Sequence, residues 1–166
     1  LDPLGLEPGV RVRYVDDAAG LGRPDLVVLP GTKATVDDLA WVRRRGLGGA
    51  LERTGATVLG ICGGYQMLGG RIDDVVESGT GVTEGLGLLP VTTRFADDKV
   101  TRRRDGRALG HPVEGYQIHH GRVTPHAGRP FVVLDDADHP GDPGPRVADT
   151  DPNPGGGGGE VDGVAR

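Results

Sequence analysis

Thr57-Val58-Leu59-Gly60-Ile61-Cys62-Gly63-Gly64-Tyr65-Gln66-Met67-Leu68-Gly69 is the stretch whose reading decides the fold. Its apolar run rises to the single cysteine of the protein and then passes into a helix-forming segment. A buried strand that turns sharply into a helix pushes the residue at the turn out of the sheet, the logic of a nucleophile elbow. Such a turn needs glycine two positions before and two positions after the nucleophile, where side chains would clash, and Gly60 and Gly64 stand there. The Cys62 sulfur is then expected near a helix N-terminus, where backbone N–H groups and the helix dipole favour thiolate over thiol. A small buried cysteine closing a core strand is the other reading these residues allow.

Composition bounds the rest. A length of 166 residues suits one domain with a sizeable core. The net charge of −5 argues against a nucleic-acid partner, and the triplets Arg43-Arg44-Arg45 and Arg102-Arg103-Arg104 read as solvated faces or loops. One cysteine excludes an internal disulfide and a cysteine-based metal site, and it fits a reducing cytoplasm. No apolar run reaches membrane-spanning length, no signal peptide is present, and no Cys, His or carboxylate cluster has metal-ligand spacing. Residues 1–134 are expected to form the folded unit, incomplete at both ends, because the chain opens on Leu1 and stops where Val161–Arg166 would begin a new strand. Residues 135–166, rich in Asp, Pro and Gly and including five consecutive glycines from Gly155 to Gly159, read as a flexible loop.

Taken in order, Val10–Val15 alternate as a half-buried or edge strand, and Asp25–Leu29 read as a strand buried on both faces. Pro30-Gly31-Thr32-Lys33 then forms a turn at that strand's carboxyl end. Thr35 is the expected N-cap of a helix that starts at Val36 and ends at Gly46, and Gly48–Arg53 form a second short helix. This is the order of a doubly wound, mostly parallel α/β sheet, in which ligands bind beyond the carboxyl ends of the strands. Gly31 and Cys62 both fall at that edge, so N–H groups near Gly31 and Gly63 can face one developing oxyanion. Farther on, Val91–Phe95 and Gly115–His119 read as antiparallel strands separated by a charged loop at 97–107, with Phe131–Leu134 as another strand.

Four blocks together resemble the glutamine amidotransferase domain of the cobyric acid synthases, of the cobalamin biosynthesis pathway. They are Leu29-Pro30-Gly31-Thr32-Lys33 with Asp38-Leu39, the elbow Gly60–Gly69, Gly85-Leu86-Gly87-Leu88-Leu89-Pro90-Val91, and Gly115–Arg122. The elbow alone is common to class I, triad-type glutaminases; the first turn and the Gly-Tyr-x-Ile-His block narrow the resemblance to this family. It implies a flavodoxin-like sheet with an antiparallel extension and a glutamine hydrolysis step in which Cys62 attacks the side-chain amide and Gly31 and Gly63 stabilise the oxyanion. Tyr65 and Gln66 would either shape the glutamine pocket or serve packing. No cofactor is implied for this domain. The ammonia would pass to a synthetase domain of the same full-length chain, which uses ATP and Mg2+ to amidate four carboxylates of the corrinoid adenosylcobyrinic acid a,c-diamide.

The chain departs from the family's pattern in three places. The synthetase domain and the first strand of the glutaminase domain are missing. The Gly-Thr-x-x-His-Gly motif that carries the family's general-base histidine does not occur, and Gln117 stands where the family commonly has Glu. His119 and His120 lie in a family block that does not supply the base, and packing or hydrogen bonding is the expectation for both. His111, His126 and His139 are expected in solvent. Glutaminase activity is therefore expected to be negligible for this fragment alone. The competing reading is a non-catalytic amidotransferase-like scaffold or partner-binding module.

Overall fold

A computed structural model describes residues 2–135 and 164–165. After a 3-10 turn at Asp2–Leu6 and a short helix α1 (Ala18–Leu21), β1 (Leu26–Leu29) leads through the Gly31 turn into α2 (Thr35–Arg44) and α3 (Leu47–Arg53). β2 (Thr57–Gly60) then pairs parallel to β1, with Leu29 opposite Gly60. The elbow helix α4 (Gly63–Leu68) follows directly. The remaining strands are β3 (Arg71–Asp74), β4 (Gly81–Glu84), β5 (Val91–Ala108), β6 (His111–Pro125), β7 (Arg129–Pro130), β8 (Val132–Leu134) and β9 (Val164–Ala165). A five-stranded sheet runs β4-β3-β5-β6 with β8 also on β5; β3 and β5 are parallel and its other pairings antiparallel. β7 and β9 form a separate antiparallel pair. This is the expected α/β fold with its antiparallel extension, and the extension holds most of the strand residues described.

α4 is buried at all six positions, in keeping with its small, apolar and aromatic residues, and Gln66 is its one buried amide. Met67 joins the cluster of Val36, Leu39, Val42, Leu47, Ile72 and Phe95, whereas Tyr65 and Leu68 join Leu89 and Val91. Leu29 and Leu86 touch both clusters, so one short helix ties the parallel pair to the larger sheet. Six residues cannot hold a helix by themselves. The last carbonyls of α4 are satisfied by the segment Gly85–Pro90: Leu86 N–H donates to Met67 O at 2.8 Å, Leu89 N–H to Leu68 O at 2.9 Å and Gly87 N–H to Gly69 O at 2.9 Å. Glycine is required at 85 because a Cβ there would lie 2.0 Å from Gly69 O. Arg43 fixes the same segment from α2, donating to Glu84 O and Gly85 O at 2.8 and 2.9 Å.

Several expectations from the sequence are corrected. Val10–Val15 are not a strand: no described strand lies alongside to take their hydrogen bonds, and only Val15 packs against the core while Val10, Val12 and Tyr14 stay exposed. Thr35 is not an N-cap. The helix begins at Thr35 with Ala34 in the cap position, because the Thr35 hydroxyl is turned inward to Gln66 at 3.3 Å. Thr32 supplies the local bond instead, accepting from Ala34 N–H at 3.1 Å while its hydroxyl pairs with the Asp38 carboxylate.

The charged stretch 97–107 is strand, not loop. β5 and β6 form one long hairpin closed by Leu109-Gly110, whose φ of +50° and +84° suit a tight primed turn. Its charges are used across the hairpin, with Arg103 paired to Glu114 and Arg104 buried. The arginines of α2 are likewise tethers as well as a solvated face, since Arg45 binds Asp16 at 2.9 Å. β3 and β4 fall in a segment whose turn residues had hidden them. Of the stretch read as a flexible loop, only Asp135 and β9 are among the described residues; the rest, including His139, lies outside them.

Asp74, with no exposed surface, organises the loop between β3 and β4. Its carboxylate accepts from the N–H groups of Val76, Glu77 and Ser78 at 3.1, 2.7 and 3.0 Å. Burial raises its pKa, but the bonds from the Ser78 side chain and these backbone groups outweigh that and leave it below the ordinary 3.8. A depressed folded-state value stabilises the fold fully above the unfolded value and is lost as pH falls through the folded one. Asp74→Asn should therefore cost about 1–3 kcal/mol at neutral pH in denaturant titrations. The gap to the parent should close progressively below about pH 4, and a gap independent of pH would contradict the assignment. In the same assay Gly85→Ala should lose about 2–3 kcal/mol or more by overpacking. Gly55→Ala, whose Cβ meets nothing within 4 Å, should stay within about 0.5 kcal/mol of the parent.

Candidate active site

Cys62 stands between β2 and α4 with φ +53° and ψ −117°, one of two non-glycine residues at positive φ among the described residues. A β-carbon disfavours this conformation, at about 1–3 kcal/mol. It persists because the chain is held on both sides. Ile61 N–H bonds Leu29 O at 3.0 Å, Gly64 N–H bonds Ile61 O at 2.9 Å and Gln66 N–H bonds Cys62 O at 3.1 Å. The side chain that results is exposed, which removes the reading of a buried core cysteine.

The surrounding glycines have separate reasons. At Gly64 a Cβ would lie 2.0 Å from Leu29 O, and at Gly60 it would lie 2.6 Å from the Tyr65 Cα. These contacts let α4 drop against both parallel strands. At Gly63 a Cβ would meet the Thr32 methyl at 2.7 Å. At Gly31 it would meet the Cys62 Cβ at 3.2 Å and Sγ at 3.9 Å, so the first turn and the elbow are in contact at the carboxyl edge of β1 and β2. Among the described residues neither the Gly31 nor the Gly63 N–H makes a backbone hydrogen bond.

Tyr65 and Gln66 are buried on α4. The Gln66 side chain accepts from Thr35 and presses on Gly121 of β6, where a Cβ would lie 2.3 Å from its Nε2. Gln66 thus links α2, α4 and the hairpin, and Tyr65 packs in the second core cluster. The Thr35–Gln66–Gly121 connection was not anticipated. Its only signal was the glycine that closes the Gly115–Gly121 block.

The histidines with described side chains are engaged elsewhere or lie in solvent. His126 is exposed and bonds the Thr92 hydroxyl through Nε2 at 2.8 Å. His111 is exposed at the far end of the hairpin. His120 is exposed and lies near Glu77, whose pKa is pushed up by burial and by Asp74 and pulled partly back by His120. Among these residues no hydrogen bond joins a histidine to Cys62. Hollows of about 320 and 570 Å³ lie away from the sulfur, one between the hairpin and Asp135 and one at the amino ends of β1 and β2. No group of three or more His, Cys, Asp or Glu side chains among the described residues could hold a metal ion.

Comparison with known proteins agrees with this geometry. Residues 1–148 match the CobB/CobQ-like glutamine amidotransferase domain. The chain is 54% identical over 140 residues to a cobyric acid synthase of Nocardia farcinica, covering 82% of this chain and 27% of that protein. With the cobyric acid synthase of Paracoccus denitrificans identity is 50% over 157 residues, covering 90% of this chain and 33% of that one. The chain therefore spans about a quarter to a third of the curated relatives it matches. A crystal structure of a glutamine amidotransferase superposes with a TM-score of 0.59 at 17% identity, over 78% of this chain and 71% of that one, and so shares the fold. An exposed cysteine on a glycine-framed elbow, in a chain this similar, gives the family: the protein belongs to the CobB/CobQ-like glutamine amidotransferases.

Proposed function

We propose that this chain is the glutaminase part of a cobyric acid synthase, with Cys62 as its nucleophile. The observation that carries the reading is the exposed Cys62 at positive φ with Gly31 packed against it. Sγ attacks the side-chain carbonyl carbon of glutamine, and the oxyanion so formed is received by the N–H groups of Gly31 and Gly63. Collapse breaks the C–N bond, releases ammonia and leaves a glutamyl thioester, which water cleaves to glutamate. Removing one such oxyanion donor costs roughly 10²–10³ in rate. Tyr65 and Gln66 contribute by fixing the elbow helix beneath the sulfur, so their effect on glutamine is through position.

Ammonia is then consumed in an ATP- and magnesium-dependent amidation of carboxylates on adenosylcobyrinic acid a,c-diamide by the synthetase part of the full-length protein. The single cysteine favours a cytoplasmic setting, and no described helix is long and apolar enough to cross a membrane.

Moving the proton from the Cys62 thiol to the leaving ammonia needs a group that first accepts it as a base and then donates it as an acid. The family's Gly-Thr-x-x-His-Gly motif does not occur in this sequence, and no described histidine bonds Cys62. A second reading is a non-catalytic scaffold that keeps the elbow. Both readings predict background glutamate release from the 166-residue chain, and reactivity separates them. Diazo-oxo-norleucine should alkylate Cys62 once per chain, read by intact mass, and excess glutamine should slow the labelling. Cys62→Ser should remain unlabelled. Equal labelling of that variant and the parent, or no protection by glutamine, would sink the glutaminase reading.

A further inference from the structure

Gly63 is enclosed by two threonines of one turn. A Cβ on Gly63 would lie 2.7 Å from the Thr32 methyl, 3.2 Å from the Thr32 nitrogen and 3.3 Å from the Thr35 hydroxyl. The two side chains are anchored differently. Thr32 stays local, accepting from Ala34 N–H and donating to the Asp38 carboxylate of α2. Thr35, 2% exposed, donates across to Gln66 Oε1 on α4 at 3.3 Å. α2 forgoes a side-chain cap by this arrangement, because Ala34 in the cap position makes none. A residue that gives up its local bond for a distant one marks a place where local stability yields to function.

What the distant bond holds is a peptide plane. Gln66 N–H donates to Cys62 O at 3.1 Å. The peptide joining Cys62 and Gly63 is a rigid planar unit, whose carbonyl and N–H point in opposite directions. Fixing Gln66 therefore fixes the line along which the Gly63 N–H projects. The Gln66 side chain is caught between the Thr35 hydroxyl and Gly121, and Thr35 also abuts Gly63 itself. One buried hydroxyl thus carries the position of the 31–35 turn to the elbow helix.

We propose that Thr35 is a positioning residue of the glutaminase site: its hydroxyl sets the Gly63 N–H, relative to Cys62 and the Gly31 turn, where an oxyanion forms. The proposal rests on the glutaminase reading and adds to it a residue that touches no substrate atom. Oxyanion donors act by being placed in advance, and a misplacement of about 1 Å costs on the order of 10²-fold in rate. Reactions of the same sulfur that build no oxyanion do not depend on Thr35.

Two reagents that differ in this respect test it on the 166-residue chain, in which Cys62 is the one cysteine. p-Nitrophenyl acetate acylates the thiolate through a tetrahedral oxyanion. The C–S bond forms, the ester C–O bond breaks and p-nitrophenolate leaves with the electron pair, so no general acid is needed. Iodoacetamide alkylates the sulfur by displacing iodide at a saturated carbon. Thr35→Val, close in shape but without the hydroxyl, should slow the Cys62-dependent release of p-nitrophenolate by about tenfold or more. Its alkylation rate should match that of the parent. Thr35→Ser, which keeps the hydroxyl, should restore acylation, so general loosening of the fold is told apart from loss of the bond. Acylation of Thr35→Val as fast as the parent, Thr35→Ser as slow as Thr35→Val, or parallel losses of acylation and alkylation would each overturn the proposal. A parent that releases p-nitrophenolate no faster than Cys62→Ser fails the glutaminase reading itself, and the proposal falls with it.

Discussion

The close approach of Gly64 to the Leu29 carbonyl is the constraint on which the rest depends. With no Cβ at residue 64, α4 seats directly against the ends of both parallel strands; with one, an atom would lie 2.0 Å from that oxygen. That seating sets the direction of the helix, and the direction leaves the chain only one sharp way to join β2 to α4. Cys62 bears the resulting backbone strain and gains exposure from it. Strain of this kind persists only where surrounding packing over-determines it, and every residue of α4 is buried. The site is therefore a consequence of helix packing more than of anything intrinsic to the cysteine.

The second half of the chain holds α4 from its other end. Gly85–Pro90 accommodate the last carbonyls of α4, Arg43 clamps that segment, and Gly121 admits the Gln66 side chain that bonds Thr35. Each glycine-rich block therefore has a mechanical task toward the same six-residue helix. The hairpin that carries Gly121 extends well beyond this task.

The elbow was legible because its requirements are local. A glycine on either side of a turn, an apolar run before it and a helical segment after it are all visible in thirteen residues of sequence. The same holds for α2 up to the left-handed Gly46, for the turn at Gly31 and for the place of β1, although β1 is exposed at Leu26 and half-buried at Val27–Leu29 instead of buried on both faces. What stayed hidden was decided by neighbours distant in sequence. Val10–Val15 have the strand pattern but no described partner, and alternation without a partner makes no ladder. Residues 97–107 look like a solvated loop because their charges are satisfied across the hairpin, which only the register reveals. Thr35 has the chemistry of a cap, yet Gln66, thirty-one positions away, takes its hydroxyl.

The central claim, that packing forces residue 62 into a conformation suited to glycine, is tested most directly by comparing the stabilities of Cys62→Gly and Cys62→Ala. Both remove the sulfur, and only glycine relieves a φ of +53°. At an ordinary position glycine is less stable than alanine by about 0.5–1 kcal/mol. Here the order should reverse, with the glycine variant the more stable by about 1 kcal/mol or more in denaturant titrations. An alanine variant as stable as the glycine variant, or more so, would contradict the account.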